Sequence, residues 1–89
     1  MTEQEDFNRF NQGRVVSVRG SVVDAHFPQR LPLVQSLLRT GKDGRIAIEV
    51  KTHLNSELVR GVALTLTQGL ARGSLIIDTG RHLNVPVGK

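Results

Sequence analysis

Four stretches of this chain alternate large aliphatic and polar residues with a period of two, and that alternation constrains the fold more than any other feature. In SVVDAHF (21–27), Val23, Ala25 and Phe27 fall on one side, with Val22, Asp24 and His26 on the other. In RIAIEVK (45–51), Ile46, Ile48 and Val50 alternate with Arg45, Ala47, Glu49 and Lys51. In VALTL (62–66), Val62, Leu64 and Leu66 alternate with Ala63 and Thr65, and in LNVPV (83–87) Leu83, Val85 and Val87 alternate with Asn84 and Pro86. Successive strand side chains point to opposite faces, so each stretch predicts a strand with one buried and one wetter face.

The punctuation between these stretches agrees. Gly20 divides RVVSVR from SVVDAHF and predicts a tight bend or bulge between two strands. KDGR (42–45) holds an Asp-Gly pair that predicts a two-residue hairpin turn with both central residues at positive φ. Gly69 and Gly73 in TQGLARGS mark a further turn, and Pro86, which cannot donate to a ladder, places the last strand at an edge or ends it. LPLVQSLLRTG (31–41) carries two signals. Leu33, Val34, Leu37 and Leu38 are spaced for a helix behind Pro32, while the KDGR hairpin needs residues 37–40 extended to pair with 45–48. The expectation is one helical turn followed by a short strand. Six short strands with glycine-rich turns predict an all-β fold, a small closed six-stranded antiparallel barrel with one short helical turn, because closure removes exposed edges.

Composition excludes several classes of function. The chain has 89 residues, enough for one small domain, with 38% hydrophobic and 22% charged residues. It has no Cys, which removes disulfides and thiolate metal sites. No run approaches 18 apolar residues, and the start, MTEQEDFNRFNQG, is acidic where a secretory signal is basic and then apolar. The expected location is therefore cytosolic or cytosol-facing. Charge is uneven: three carboxylates against Arg9 leave residues 1–12 at −2, so residues 13–89 carry +6 of the overall +4. Nine of the twelve basic residues are Arg, which suits forked pairing with carboxylates.

LIIDTG (75–80) raises the question of catalysis, because aliphatics running into Asp-Thr-Gly are how an aspartic protease presents its carboxylate. Such an enzyme needs two carboxylates sharing a proton. A short chain of the retroviral type gains the second by dimerising, and builds its flap and cleft floor from the sequence that follows. Only eleven residues follow Asp78. The better reading is a strand over Leu75–Ile77 followed by the turn formers Asp78, Thr79 and Gly80. His26, His53 and His82 lack the close spacing of a metal site and have no Cys partner, so they read as surface or rim residues. No phosphate-cradling Gly-x-x-x-x-Gly-Lys-Ser/Thr is present. Nucleic-acid binding is the competing reading, since small basic barrels bind single strands by stacking bases on aromatics. Here there is no Trp or Tyr. Phe7 and Phe10 sit in the acidic segment, where phosphate would be repelled, and Phe27 falls on the presumed core face, so no nucleic-acid partner is expected.

Read in order, GRVVSVRGSVVDAHFP (13–28), IEVKTHL (48–54), LVRGVAL (58–64), TQGLARG (67–73), DTG (78–80) and VPVG (85–88) resemble the N-terminal barrel of the beta subunit of F-type ATP synthases. The resemblance covers Gly13 to Gly88. VVDAHFP and THLNSELVRGVAL point to beta in particular; Thr-Gly with VPVG is shared with the alpha subunit and the flagellar and secretion ATPases. It implies an acidic flexible tail over 1–12 and a barrel over 13–88, with Asp78-Thr79-Gly80 as a turn before the last strand. It also implies that catalytic, cofactor-binding and metal-ligating residues are absent from this chain. ATP, ADP and Mg would bind in the nucleotide-binding domain of a full-length subunit, outside this sequence. The implied partners are ATP synthase alpha subunits in an alternating hexameric ring, with the rotor and membrane sector reached indirectly and the isolated piece a monomer. The implied location is peripheral, on the cytoplasmic side of the bacterial inner membrane or the equivalent face of another energy-coupling membrane. The sequence departs from the family at Asn55 (usually Gly), Leu64 (usually Met) and Arg81-His82-Leu83 (usually containing Pro). Asn tolerates a left-handed backbone, so a turn at 55 is expected to survive.

Overall fold

The period-two stretches become strands that close on one another. A computed structural model of the chain describes residues 10–83; the expectations for residues 1–9 and for the strand after Leu83, including Pro86, lie outside them. The strands are β1 (Asn11–Arg19), β2 (Val22–His26), β3 (Ser36–Thr40), β4 (Ile46–His53), β5 (Leu58–Ala63) and β6 (Leu75–His82). All neighbours are antiparallel, and the order around the barrel is β1-β2-β5-β4-β3-β6, with β6 returning to β1. β1 starts two residues earlier than the resemblance implied. Closure pairs each of the six described strands on both sides and leaves none of them as an edge.

The core is the inward side of that ladder. Phe27, Leu38, Ile48, Ile76, Val15, Val23, Val50 and Val59 are fully buried. The alternation in β2 and β4 is borne out: Val23 and Ala25 with Phe27, and Ile46, Ile48 and Val50, all face the interior. In β5 it is reversed. Val59 is buried and Ala63 packs on the core, whereas Leu64 and Leu66 are 51% and 83% exposed. The cause is Gly61, which lies on the inward face between Val59 and Ala63. A Cβ there would stand 2.6 Å from Ile48 Cγ2 and 2.7 Å from the Glu49 carbonyl oxygen. β5 therefore buries its less apolar side, because only that side lets its backbone approach β4.

Turn regions also differ from expectation. Residues 31–35 form no α-helical turn: Leu33 and Val34 are exposed, so helical spacing has no apolar face to bury. Instead the Ser36 amide donates to the Leu33 carbonyl at 3.0 Å, and Gln35, at φ 76°, reverses the chain into β3. Gln35 is held there by its amide donating to Val50 O at 2.8 Å and its carbonyl accepting from Leu83 N at 3.0 Å. Among the described residues the one helical turn is a 3-10 turn at Lys42–Gly44. Asp43 and Gly44 do take positive φ (59° and 66°), but the hairpin loop has five residues, since Thr40 pairs with Ile46. Gly20, also at positive φ, makes the expected tight bend between Arg19 and Val22.

The pairings sort the connections into two ends. One end carries the 20–21 turn, the 41–45 loop and the 64–74 loop. The other carries the 27–35 connection, the 54–57 turn and the points where the described chain enters at Phe10 and leaves at Leu83.

Candidate subunit interface

Asp78 does not project into a cleft. β6 runs straight through Asp78-Thr79-Gly80, with Asp78 paired to Asn11 of β1 and to Leu38 of β3. The turn chemistry read from the sequence survives as a bulge inside the strand. Leu38 pairs with Asp78 while Ser36 pairs with His82, so β6 carries two extra residues across that step. Asp78 Oδ1 accepts from the Gly80 amide at 3.0 Å, Thr79 Oγ1 accepts from the Arg81 amide at 3.2 Å, and Gly80 takes φ 78°. Thr79 Oγ1 also donates to Leu37 O at 2.7 Å, tying the bulge back to β3. The carboxylate is engaged in closing a local loop.

The three histidines stay apart in role. His26 Nε2 lies 2.8 Å from Glu57 Oε1 on the surface, and His53 Nε2 lies 2.7 Å from the Pro32 carbonyl oxygen. His82 ends β6 opposite Ser36. Among the described residues no three His, Asp or Glu side chains gather in a way that could hold a metal ion. Asn55 supports its turn differently from the expectation. Its φ is not positive; its Oδ1 accepts from the Glu57 and Leu58 amides at 2.8 and 2.9 Å. Leu64 is exposed rather than packed, so its exchange for the family's usual Met falls on the surface.

What the sequence reading missed is on the outer wall. Asp24 of β2 and Arg60 of β5 are directly opposite in register. Arg60 Nε donates to Asp24 Oδ1 at 2.9 Å and Nη2 donates to Oδ2 at 3.0 Å, a forked pair. Ser17 Oγ on β1 donates to Oδ2 at 3.3 Å, so three adjacent strands meet at one carboxylate. The hydrogen bond from Arg60 holds the Asp24 carboxyl below the usual carboxylate range, against the opposing effect of its burial. The same bond raises the Arg60 pKa further. A signal was available: Asp is depleted in strands, so an Asp between Val23 and Ala25 calls for a cation across the ladder.

The remaining outer surface is apolar in patches. Phe10, Leu33, Val34, Leu54 and Leu83 are each at least 40% exposed, and all lie at the end where the described chain enters and leaves. Leu64 and Leu66 are exposed at the opposite end. A lateral groove with Phe10, Gly13, Arg14, His26 and Leu75 in its lining runs over β1 and the end of β2. No helix among the described residues is long and apolar enough to cross a membrane. The wall is thus apolar over part of its area, while the Asp24–Arg60–Ser17 cluster ties three of its strands together.

Comparison with known proteins agrees with this architecture. Residues 15–80 match the model of the ATP synthase alpha/beta family, beta-barrel domain. The chain is 56% identical over 84 residues to ATP synthase subunit beta 1 of Marinomonas sp., an alignment covering 89% of this chain and 17% of that protein. It is 54% identical over 77 residues to ATP synthase subunit beta 2 of Nitrosospira multiformis, covering 86% and 16%, and 53% identical over 68 residues to ATP synthase subunit beta of Acaryochloris marina, covering 76% and 15%. The chain thus spans about a sixth of the length of the relatives it matches. With a closed six-stranded barrel and a family match over most of its strands, the chain belongs to the ATP synthase alpha/beta family, and it corresponds to the N-terminal β-barrel domain of the beta subunit.

Proposed function

We propose that this barrel is a structural collar: it packs side by side with barrels of alpha subunits and holds one end of an alternating hexamer together while the rest of each subunit moves. The observation that carries this reading is the match of residues 15–80 to the barrel domain of that family, on a barrel whose two carboxylates most suggestive of chemistry are engaged in its own ladder. Asp24 is gripped by Arg60, and Asp78 closes its own bulge. Neither is left to act on a substrate. In a longer beta-type chain, ATP or ADP with Mg would bind elsewhere, and synthesis or hydrolysis of ATP would be coupled there to movement of H⁺ or Na⁺. The assembly would sit peripherally on the cytoplasmic side of its membrane. On this reading no catalytic, nucleotide-binding or metal-ligating role falls to the described residues.

A domain exchange tests this. The barrel of the Marinomonas beta 1 subunit is replaced by the present chain, and a second variant lacks the barrel altogether; each is co-expressed with the cognate alpha subunit and rotor subunit. The exchanged protein is expected to give hexamers of normal size with ATPase activity, and the barrel-less one broken or heterogeneous rings. Full-size, fully active hexamers without any barrel would end the collar reading.

A further inference from the structure

The net charge of the barrel is concentrated at one end. Arg19, Arg39, Lys42, Arg45 and Arg72 belong to the end made by the 20–21 turn and the 41–45 and 64–74 loops, and Arg14, on the lateral wall opposite His26, reaches the last part of the 64–74 loop. Arg14 Nη1 donates to Gly73 O at 3.2 Å and Arg39 Nη1 to Gly44 O at 3.4 Å, which fixes those two guanidinium groups at the loops. All six are exposed, and among the described residues none forms an ion pair. The carboxylate at this end is Asp43. Elsewhere Arg30, Lys51, Arg60 and Arg81 are balanced by Asp24, Glu49, Glu57 and Asp78. The described residues thus carry most of their surplus of positive charge on the end opposite to where the chain enters and leaves.

The same end presents Leu64 and Leu66, and it presents them rigidly. Thr67 Oγ1 donates to Gly20 O at 3.1 Å, the Leu70 amide donates to Thr67 O at 2.9 Å, and Thr65 Oγ1 accepts from the Ala47 amide at 3.3 Å. Beside them lies an open groove of about 440 Å³, lined by Arg45, Ile46, Thr65, Leu66 and Gln68. An exposed aliphatic side chain on a hydrogen-bonded loop, beside an open groove and basic side chains that form no ion pair among the described residues, is a surface prepared in advance for a complementary partner.

We propose that this end of the barrel is a docking surface for an acidic protein segment that packs an aliphatic side chain against the exposed Leu66 while its carboxylates meet Arg45, Lys42 and Arg72. The occupant is protein rather than nucleic acid because this end has aliphatic residues and no aromatic ring. Phe10 is at the far end and Phe27 is fully buried, so bases have nothing to stack on here. The inference stands apart from the hexamer, since it concerns an end of the barrel and not its flanks.

The test uses the 89-residue chain, labelled with ¹⁵N, and three dye-labelled probes: a Glu/Leu peptide, a Glu/Ser peptide of equal charge, and a single-stranded oligonucleotide of equal charge. The Glu/Leu peptide is expected to shift amides of residues 41–46 and 64–72 and to bind at least about tenfold tighter than either other probe, which corresponds to burying one aliphatic side chain. Leu66→Ser and Arg45→Glu should each weaken it about tenfold or more, while Arg81→Glu, the same charge change at the other end, leaves it within about twofold. Equal binding of the Glu/Ser peptide, tighter binding of the oligonucleotide, shifts spread over the barrel, or no binding at millimolar peptide would each overturn the proposal.

Discussion

Arg60 lies directly across the β2–β5 ladder from Asp24 and holds both of its carboxylate oxygens, at 2.9 and 3.0 Å. Ser17 on β1 completes the contact. Because the carboxylate is largely buried, removing its charge leaves the fork without its anion. Asp24→Asn is expected to lower unfolding stability by about 1.5–3 kcal/mol, the range for hydrogen bonds to charged groups, measured by urea denaturation at neutral pH.

The same pair gives the barrel a defined acid limit. The Asp24 carboxyl is held below its ordinary value in the folded state, chiefly by the Arg60 hydrogen bond. Its stabilising contribution is therefore complete above the unfolded carboxylate value, about pH 4, and is lost as pH falls below that toward the folded value. Urea midpoints between pH 6 and pH 2 should fall more steeply for the native chain than for Asp24→Asn. Parallel curves would remove the pair from the account of acid stability.

Gly61 should not accept a side chain. A methyl group would stand 2.6 Å from Ile48 Cγ2 and 2.7 Å from the Glu49 carbonyl oxygen, and the backbone atom cannot move without opening the β4–β5 ladder. Gly61→Ala is expected to cost about 1–3 kcal/mol from overpacking, in contrast to Leu64→Ala on the exposed continuation of the same strand, which should lie within about 0.5 kcal/mol of the native chain. Thermal unfolding of the two variants side by side makes the comparison.

Phe27 is fully buried at the end of β2, among the largest side chains in the core. Phe27→Ala should cost about 3–5 kcal/mol, a large part of the roughly 4–13 kcal/mol expected for a domain of this length. The variant is expected to be substantially unfolded at 37 °C by circular dichroism. A cooperative transition at the native temperature would mean that the site collapses around the deletion.

Mg-ATP should show no saturable binding to the chain in titration calorimetry, and no peptidase activity should appear at acidic pH. Asp78→Asn should behave like the native protein in both assays, since Asn still offers Oδ1 to the Gly80 amide. Micromolar ATP binding, or cleavage that disappears in Asp78→Asn, would show that a catalytic role had been missed.

Much of this barrel is legible in the residues themselves because it depends on short-range physics. Alternation over Val23–Phe27 and Ile46–Val50 settles which side of β2 and β4 is buried, and Gly20 and the Asp43-Gly44 pair mark reversals that need positive φ. These signals are local: each requires only neighbours in the chain and the geometry of a pleat. The lack of Trp and Tyr and of a phosphate-cradling motif is equally a property of the sequence.

The tertiary structure decided what depends on the approach of distant segments. Val62, Leu64 and Leu66 are the more apolar side of their stretch, yet Val59, Gly61 and Ala63 face inward, because β4 comes so close that only a glycine fits. Asp78-Thr79-Gly80 has the composition of a turn, yet it remains in the ladder as a bulge, because β1 and β3 pair with it on both sides. Asp24 and Arg60, 36 residues apart in sequence, become one ion pair through the β2–β5 register. Local propensity assigns each residue a preference; the closed ladder, in which each strand must satisfy two neighbours at once, determines which preferences are overridden.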